Sequence, residues 1–344
     1  MSRTAVVLFN LGGPDSPQAV RPFLQNLFSD PAILQVPGPV RWFLARLISA
    51  RREKPAQAIY AHLGGRSPLL PNTQAQAAAL QSALQGGAEG EVRCFIAMRY
   101  WHPFTEQAVA EVKAFAPDRV VLLPLYPQFS TTTTGSSVKA WTEAVAKAGL
   151  QVPTHTVCCY PTEPGFIAAM AGLVRQAYDA AAAHGTPRVL FSAHGLPKKV
   201  VERGDPYQWQ CERTAAAIAE ALQIPGLDWL NSYQSRVGPL EWIGPATDAE
   251  IERAGRDGVP LVVAPIAFVS EHSETLVEIG IEYRHLADQC GVPYFAPVPT
   301  VGDDPAFIAG LADLVRASLS RPPGLGSQQG GRLCPAGFSG CPQR

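Results

Sequence analysis

Short, almost wholly apolar runs alternate along this chain with longer segments in which apolar residues recur every three or four positions. The apolar runs at 5–10, 93–98 and 119–125 predict strands in the first half. Those at 154–159, 188–193, 229–234, 261–266 and 293–297 predict strands in the second. Several lack a polar face, which is the pattern of strands covered on both sides in a parallel sheet. Between them the spacing predicts helices over 19–28, 73–84, 106–115, 138–148, 166–183, 207–222, 248–254, 274–290 and 305–319. Strand and helix in regular alternation read as a doubly wound α/β protein. Eight strands divide plausibly into two sheets of about four each. The expected organisation is an N-terminal domain over 1–150, a C-terminal domain over 151–320 and a tail over 321–344. The tail opens with Arg-Pro-Pro-Gly-Leu-Gly-Ser-Gln-Gln-Gly-Gly, the composition of a flexible linker.

One segment departs from this pattern. Residues 36–52, from Val36 to Arg52, place large apolar side chains and arginines together at helical spacing. An ordinary surface helix packed on the core and an apolar lip suited to a membrane surface or an amphipathic ligand both fit it. Composition narrows the field further. The chain is 344 residues long and 47% hydrophobic, enough for a substantial core, so global disorder is excluded. With 28 Lys+Arg against 29 Asp+Glu, the net charge of −1 gives no reason to expect a nucleic-acid partner. The N-terminus enters a strand pattern directly, without the features of a signal peptide, and no stretch has the length of a membrane span. A cytoplasmic protein is expected, with room for peripheral contact at the inner face of a membrane.

In open α/β sheets ligands bind beyond the carboxyl ends of the strands, so those ends are where chemistry is sought. There lie Asn10-Leu11-Gly12-Gly13-Pro14, then Tyr126-Pro127-Gln128-Phe129-Ser130, then His194-Gly195-Leu196-Pro197. Ser235-Arg236-Val237-Gly238-Pro239 and Glu271-His272-Ser273-Glu274 follow. His194, between a buried-looking strand and a glycine, is placed to point into a crevice, although a structural histidine would look the same. Glu274, Glu278 and Glu282 share one face of a helix, whether as a carboxylate trail or as a solvated surface. Gly12-Gly13 lacks the dinucleotide fingerprint, and no Walker loop, nucleophile elbow or His-Glu-x-x-His site is present. These features describe a two-domain α/β enzyme with a histidine and carboxylate crevice.

Eight short motifs in order make the reading specific. They are Leu-Phe-Asn-Leu-Gly-Gly-Pro (8–14), Gly-Gly-Arg-Ser-Pro-Leu (64–69), Met-Arg-Tyr-Trp-His-Pro (98–103) and Tyr-Pro-Gln-Phe-Ser (126–130). Then come Thr-Thr-Gly-Ser-Ser (133–137), Ser-Ala-His-Gly-Leu-Pro (192–197), Tyr-Gln-Ser-Arg-Val-Gly-Pro (233–239) and Pro-Ile-Ala-Phe-Val-Ser-Glu-His-Ser-Glu-Thr-Leu (265–276). From about residue 4 to 319 the chain resembles the ferrochelatase family, which inserts ferrous iron into a porphyrin. The resemblance implies two similar Rossmann-like domains of the class II chelatase type with a porphyrin cleft. It implies His194 and Glu274 as the pair facing metal and macrocycle, with Glu271, His272, Glu278 and Glu282 along a proton or metal path. Leu11, Arg52, Tyr60, Ser67, Arg99, Tyr100 and Ser235 would contact porphyrin, Arg52, Tyr60, Ser67 and Ser235 near its propionates. The apolar helix around Trp42, Phe43 and Leu44 resembles the family's cleft lip. The Asn-Leu-Gly-Gly-Pro start resembles the protoporphyrin IX branch more than the coproporphyrin III branch. A porphyrin or haem carrier, or a chelatase for cobalt or nickel, would share much of this equipment; a carrier would have no use for Glu274 opposite His194.

Seven cysteines in such a chain argue against a disulfide framework. Some ferrochelatases hold a 2Fe-2S cluster through four cysteines, and Cys158, Cys159, Cys334 and Cys341 resemble a bacterial variant with two internal and two terminal ligands. Two buried strand cysteines and a disordered tail would fit the same positions. Cys94, Cys211 and Cys290 read as ordinary core or helix residues.

Overall fold

The computed structural model describes residues 2–85, 87, 90–236, 238 and 240–343; Val237 and Pro239 of the 233–239 motif lie outside the described residues. The elements run β1 (Arg3–Asn10), α1 (Val20–Ser29), α2 (Gly38–Ala61), α3 (Leu69–Leu84), β2 (Glu91–Met98), α4 (Thr105–Phe115), β3 (Arg119–Pro124), α5 (Thr134–Ala148) and β4 (Thr154–Val157). They continue with α6 (Pro164–Ala182), β5 (Arg188–His194), α7 (Lys198–Glu202), α8 (Tyr207–Leu222), β6 (Asp228–Gln234), α9 (Thr247–Asp257) and β7 (Leu261–Pro265). A π-helix (Glu274–Tyr283), α10 (Arg284–Cys290), β8 (Phe295–Pro297), α11 (Pro305–Leu319) and β9 (Gly324–Gly326) complete the chain. Two compact units result. One comprises Met1–Tyr126, Ser130–Cys158 and Leu314–Gly330; the other comprises Pro127–Phe129, Cys159–Asp313 and Gly331–Arg344.

The first unit is built on a parallel sheet in the order β2-β1-β3-β4-β9. Its interior strand β1 is apolar almost throughout because helices cover both faces, and Ala5, Val6, Val7 and Leu8 are fully buried. The outer strand β2 alternates more, burying Val92, Phe95 and Ala97 while Glu91 and Arg93 face outward. Val7, Phe9, Phe95, Val112, Phe115, Leu122 and Trp141 pack into one core. Each such side chain contributes about 1.5–3 kcal/mol by leaving water.

The second unit holds a parallel sheet in the order β6-β5-β7-β8. Here β5 and β7 are central, and Leu190, Leu261 and Val263 pack with Ile251, Ile279 and Phe295. The sheet register pairs His194 with Gln234, so the two strands end side by side and deliver both residues to one edge. The helix α6 starts where Glu163 caps it, its carboxylate accepting from the Gly165 and Phe166 amides at 3.0 and 2.7 Å.

Two expectations are corrected. The predicted helix over 274–290 begins as a ten-residue π-helix and becomes α-helical only at Arg284. The apolar spacing alone does not distinguish the wider turn. The segment after Arg321 is not a free linker. Its Gly324, Leu325 and Gly326 pair with His155, Thr156 and Val157 of β4, adding a fifth strand to the first sheet. Farther on, Arg332 donates to the carbonyls of Cys334, Pro335, Phe338 and Gln343 at 2.9–3.0 Å and curls the end of the chain around its guanidinium. That folded end docks within the second unit, where the Ser339 hydroxyl donates to the Arg203 carbonyl and the Phe338 ring packs on Trp209. Backbone pairing and one multivalent arginine order a segment whose composition reads as linker.

Candidate active site

The carboxyl end of β5 sets the position of His194, and the first residue of the π-helix sets Glu274. His194 Nδ1 and Glu274 Oε2 are 2.8 Å apart. The bond leaves His194 Nε2 as the other ring nitrogen, and the side chain remains 38% exposed, so solvent and substrate can reach it. The chain leaves β6 through Ser235, whose φ of +60° is left-handed. A non-glycine residue there costs roughly 1–2 kcal/mol. Glu278 compensates: its Oε1 accepts from the Ser235 amide at 2.9 Å and its Oε2 from the Ser235 hydroxyl at 2.5 Å. Ser235 Oγ also lies 3.0 Å from Glu274 Oε2. Gln234 Nε2 donates to the Glu274 carbonyl and to Glu278 Oε2, and the Tyr283 hydroxyl donates to Glu278 Oε1 at 3.2 Å. Two carboxylates one π-helical turn apart thus share a serine.

Electrostatics separate these groups. Burial tends to neutralise His194, but the Glu274 carboxylate beside it prevails and holds the imidazolium form to higher pH than usual. Burial likewise opposes charge on Glu274, and the His194 imidazolium overcomes it, keeping that carboxyl well below its ordinary range. Glu278 moves the other way. Burial first, and the Glu274 charge second, push its carboxyl up. One serine hydroxyl donates only one hydrogen, yet Ser235 Oγ sits between two carboxylates. Ser235 Oγ can therefore donate to only one of the two carboxyl groups at a time. His194, Glu274, Ser235 and Glu278 are thus joined in one hydrogen-bonded run.

The remaining path residues separate. Glu271 accepts from the Thr300 amide at 2.8 Å and from the Thr275 hydroxyl, so it is turned away from Ser235. His272 is buried against the Phe268 ring, and burial holds it neutral; its Nδ1 has no partner among the described residues. Glu282 is exposed and outside the pair. Ser235, expected at a propionate, instead engages its hydroxyl between Glu274 and Glu278.

In the first unit the expected porphyrin contacts fall into four groups. Leu11, Tyr60 and Tyr100 join an apolar cluster with Val20, Phe23 and Leu24, in which Tyr100 is almost wholly buried. Ser67 packs its hydroxyl against Gly13, a position where any Cβ would collide with it, and accepts from the Leu69 amide at 3.2 Å. Arg52 is exposed on α2. Arg99 meets Asp30, a residue outside every motif quoted above. Asp30 Oδ2 accepts from Arg99 Nη2 at 2.7 Å, the Tyr100 hydroxyl at 2.8 Å and the Ser136 hydroxyl at 2.5 Å. Arg99 Nε donates in turn to Ser136 Oγ at 2.7 Å. Burial works against the Asp30 charge, but Ser136, the Ala32 amide and Arg99 outweigh it and lower the carboxyl. An aspartate at a helix end has no sequence signal for partners 69 to 106 residues away.

Cys158, Cys159, Cys334 and Cys341 are all buried, and the Cys334 sulfur lies 3.1 Å from Gln210 Nε2. Among the described residues no group of three or more His, Cys, Asp or Glu side chains is gathered to hold a metal. The expected four-cysteine cluster is not shown by this arrangement, and no step is routed through it.

A parallel sheet in each of two units, with helices around both, is the class II chelatase fold. SirB from Bacillus subtilis with Fe3+ has this fold, with a TM-score of 0.53 at 13% identity over 92% of this chain and 96% of that one. The sirohydrochlorin chelatase SirB from Bacillus subtilis subspecies spizizenii in complex with cobalt matches with a TM-score of 0.51 at 12% identity, over 94% and 97% of the two chains. The sequence carries the match further. The ferrochelatase family model matches residues 3–319. Ferrochelatases of Caulobacter vibrioides and Phenylobacterium zucineum are 56% and 55% identical, the first over 99% of this chain and 98% of that protein, the second over 98% and 97%. That of Rickettsia bellii is 46% identical over 98% of this chain and 94% of its own length. The chain belongs to the ferrochelatase family. Its activity is that of a metal chelatase, the insertion of iron into a porphyrin in haem synthesis.

Proposed function

We propose that the porphyrin is protoporphyrin IX, that Fe2+ enters it beside His194, and that His194 and Glu274 carry the chemistry. The observation that carries this reading is the 2.8 Å bond between His194 Nδ1 and Glu274 Oε2 in a chain of this family. Metal insertion requires two pyrrole N–H protons to leave as Fe2+ sheds water and enters the ring. His194 with Nδ1–H donated to Glu274 presents Nε2 as a base, and the imidazolium formed by proton uptake is stabilised by the same carboxylate. Glu274, Ser235 and Glu278 then form the exit line, one proton handed on for each accepted. The substrate choice rests on the Asn10-Leu11-Gly12-Gly13-Pro14 resemblance. Anaerobic incubation with Fe2+ and either protoporphyrin IX or coproporphyrin III, followed by porphyrin fluorescence and haem absorption, tests both parts. Protoporphyrin turnover should dominate, and His194→Ala should lower it by about 10³-fold or more with porphyrin binding retained. A His194→Ala protein that keeps its turnover sinks the assignment, and preference for coproporphyrin sinks the substrate.

The same reading includes peripheral membrane contact through α2. Among the described residues no helix is long and apolar enough to cross a membrane, but α2 exposes Val40, Trp42 and Phe43, with the Arg46 guanidinium 3.7 Å from the Trp42 ring centroid. Aromatic side chains flanked by arginines suit the interface of an anionic bilayer. Flotation with phosphatidylglycerol vesicles should carry the protein upward and fail for Trp42→Ser/Phe43→Ser; equal flotation of both proteins would refute the contact.

A further inference from the structure

We infer that Gln234 is a positioning residue of the chelatase reaction, whose amide fixes the Glu278 carboxyl and the first turn of the π-helix against the end of β6. This role rests on the proton exit through Glu278 proposed above and adds the side chain that holds that group in place.

Gln234 closes β6 and pairs in register with His194, and two residues earlier Ser232 pairs with Ser192. With a strand period of two, these four side chains share one face of the sheet. Thr247, the first residue of α9, joins them: its Oγ1 is 3.0 Å from Ser192 Oγ and 2.9 Å from Ser232 Oγ. Ser192 in turn donates to Gln234 Oε1 at 2.7 Å. Ser192, Ser232 and Thr247 are fully buried and Gln234 almost so.

The direction of the amide follows from its surroundings. Oε1 accepts from Ser192, so Nε2 faces the π-helix, where the Glu274 carbonyl at 3.2 Å and Glu278 Oε2 at 3.1 Å accept its hydrogens. A reversed amide would set oxygen against that carbonyl. One side chain thus directs both N–H bonds onto the first turn of the helix that carries the two carboxyl groups. The Glu278 oxygens also take the Ser235 amide, the Ser235 hydroxyl and the Tyr283 hydroxyl. Gln234 anchors this set to β5 and α9 through buried hydroxyls, and a satisfied buried network holds its members in one arrangement. Charge is affected as well as position. Burial and then the Glu274 charge raise the Glu278 carboxyl, and the Ser235 hydroxyl and the Gln234 amide oppose them. The titratable groups around Glu278 are Glu274 and Tyr283 on its own helix and His194 on β5, with Asp248 of α9 acting on Tyr283. Loss of the amide therefore moves the Glu278 carboxyl further up.

Iron insertion by the full chain, measured anaerobically against pH with Fe2+ and protoporphyrin IX, tests this in wild type, Gln234→Met, Glu278→Gln and the double variant. Gln234→Met keeps the length of the side chain and removes its donors. Its kcat should fall about 10-fold with the porphyrin KM within about 2-fold, and the acid limb of the kcat profile should move up by about one pH unit. The double variant should be no slower than Glu278→Gln, since a residue acting through Glu278 then has nothing to position. If near-UV circular dichroism shows Gln234→Met unfolded, Gln234→Glu keeps the acceptor for Ser192 and, ionised, has no N–H to give; it should show the same loss and the same non-additivity. Unchanged kcat, an unmoved acid limb, or losses that multiply in the double variant overturn the role of Gln234 alone. A Glu278→Gln protein with full kcat overturns the proton exit, and the role of Gln234 with it.

Discussion

The two units both place polar clusters at the carboxyl ends of parallel strands, but they use charge in opposite ways. In the first, Asp30 receives three donors, from Arg99, Tyr100 and Ser136, and its side chain is 3% exposed. Each charge there already has its partner, which is what a structural ionic network looks like. In the second, His194 is bound at one nitrogen only and stays accessible, and the neighbouring carboxylates are driven toward opposite protonation states. Pairs of titratable groups pushed apart in pKa are the mark of acid–base chemistry. The comparison teaches that a buried arginine and aspartate at a strand end are not by themselves a reaction centre. What matters is whether a proton still has somewhere to go.

Breaking the first cluster should have the largest energetic effect. Asp30→Ala leaves the Arg99 guanidinium without its counter-ion, and the loss should be about 3 kcal/mol of unfolding free energy, measured by urea denaturation. A change below roughly 1 kcal/mol would mean that Arg99 is equally well served by water. Next is Glu278→Gln, which keeps the shape but removes the titrating station. It should lower kcat by about 10- to 100-fold, equivalent to about 1.4–2.7 kcal/mol, with little change in thermal stability. Unchanged kcat would remove Glu278 from the proton line. The smallest effect is in the pH dependence of stability. The raised His194 pKa stabilises the fold below the unfolded value of 6.5, and that contribution is lost as pH rises through the folded value. The lowered Glu274 pKa stabilises above the unfolded value of 4.5 and is lost as pH falls through the folded value. The difference in Tm between wild type and His194→Ala should therefore be largest between 4.5 and 6.5 and shrink toward pH 9. A difference that is flat across this range would show that the pair is not charged in the resting protein.

Much of the architecture was legible because strands buried on both faces write unbroken apolar runs. β5 and β7 are recovered to within one residue, and His194 and Glu274 stand in quoted motifs. The π-helix was not legible, since Glu274, Glu278 and Glu282 have the same spacing on either kind of helix; the structure sets the first two on Ser235 and leaves Glu282 exposed. Nor was β9, because three residues of Gly-Leu-Gly form a strand only when the edge of β4 is there to pair with them.

The amino-acid pattern by itself determined most of the elements, the α/β class and the family, because each is a property of local periodicity or of short contiguous motifs. Tertiary structure decided the rest. It bound Arg99 to Asp30, set Ser235 between two carboxylates and ordered the chain end around Arg332. Each of these depends on which distant side chain arrives within hydrogen-bond range, and that is a property of packing, to which local sequence is blind.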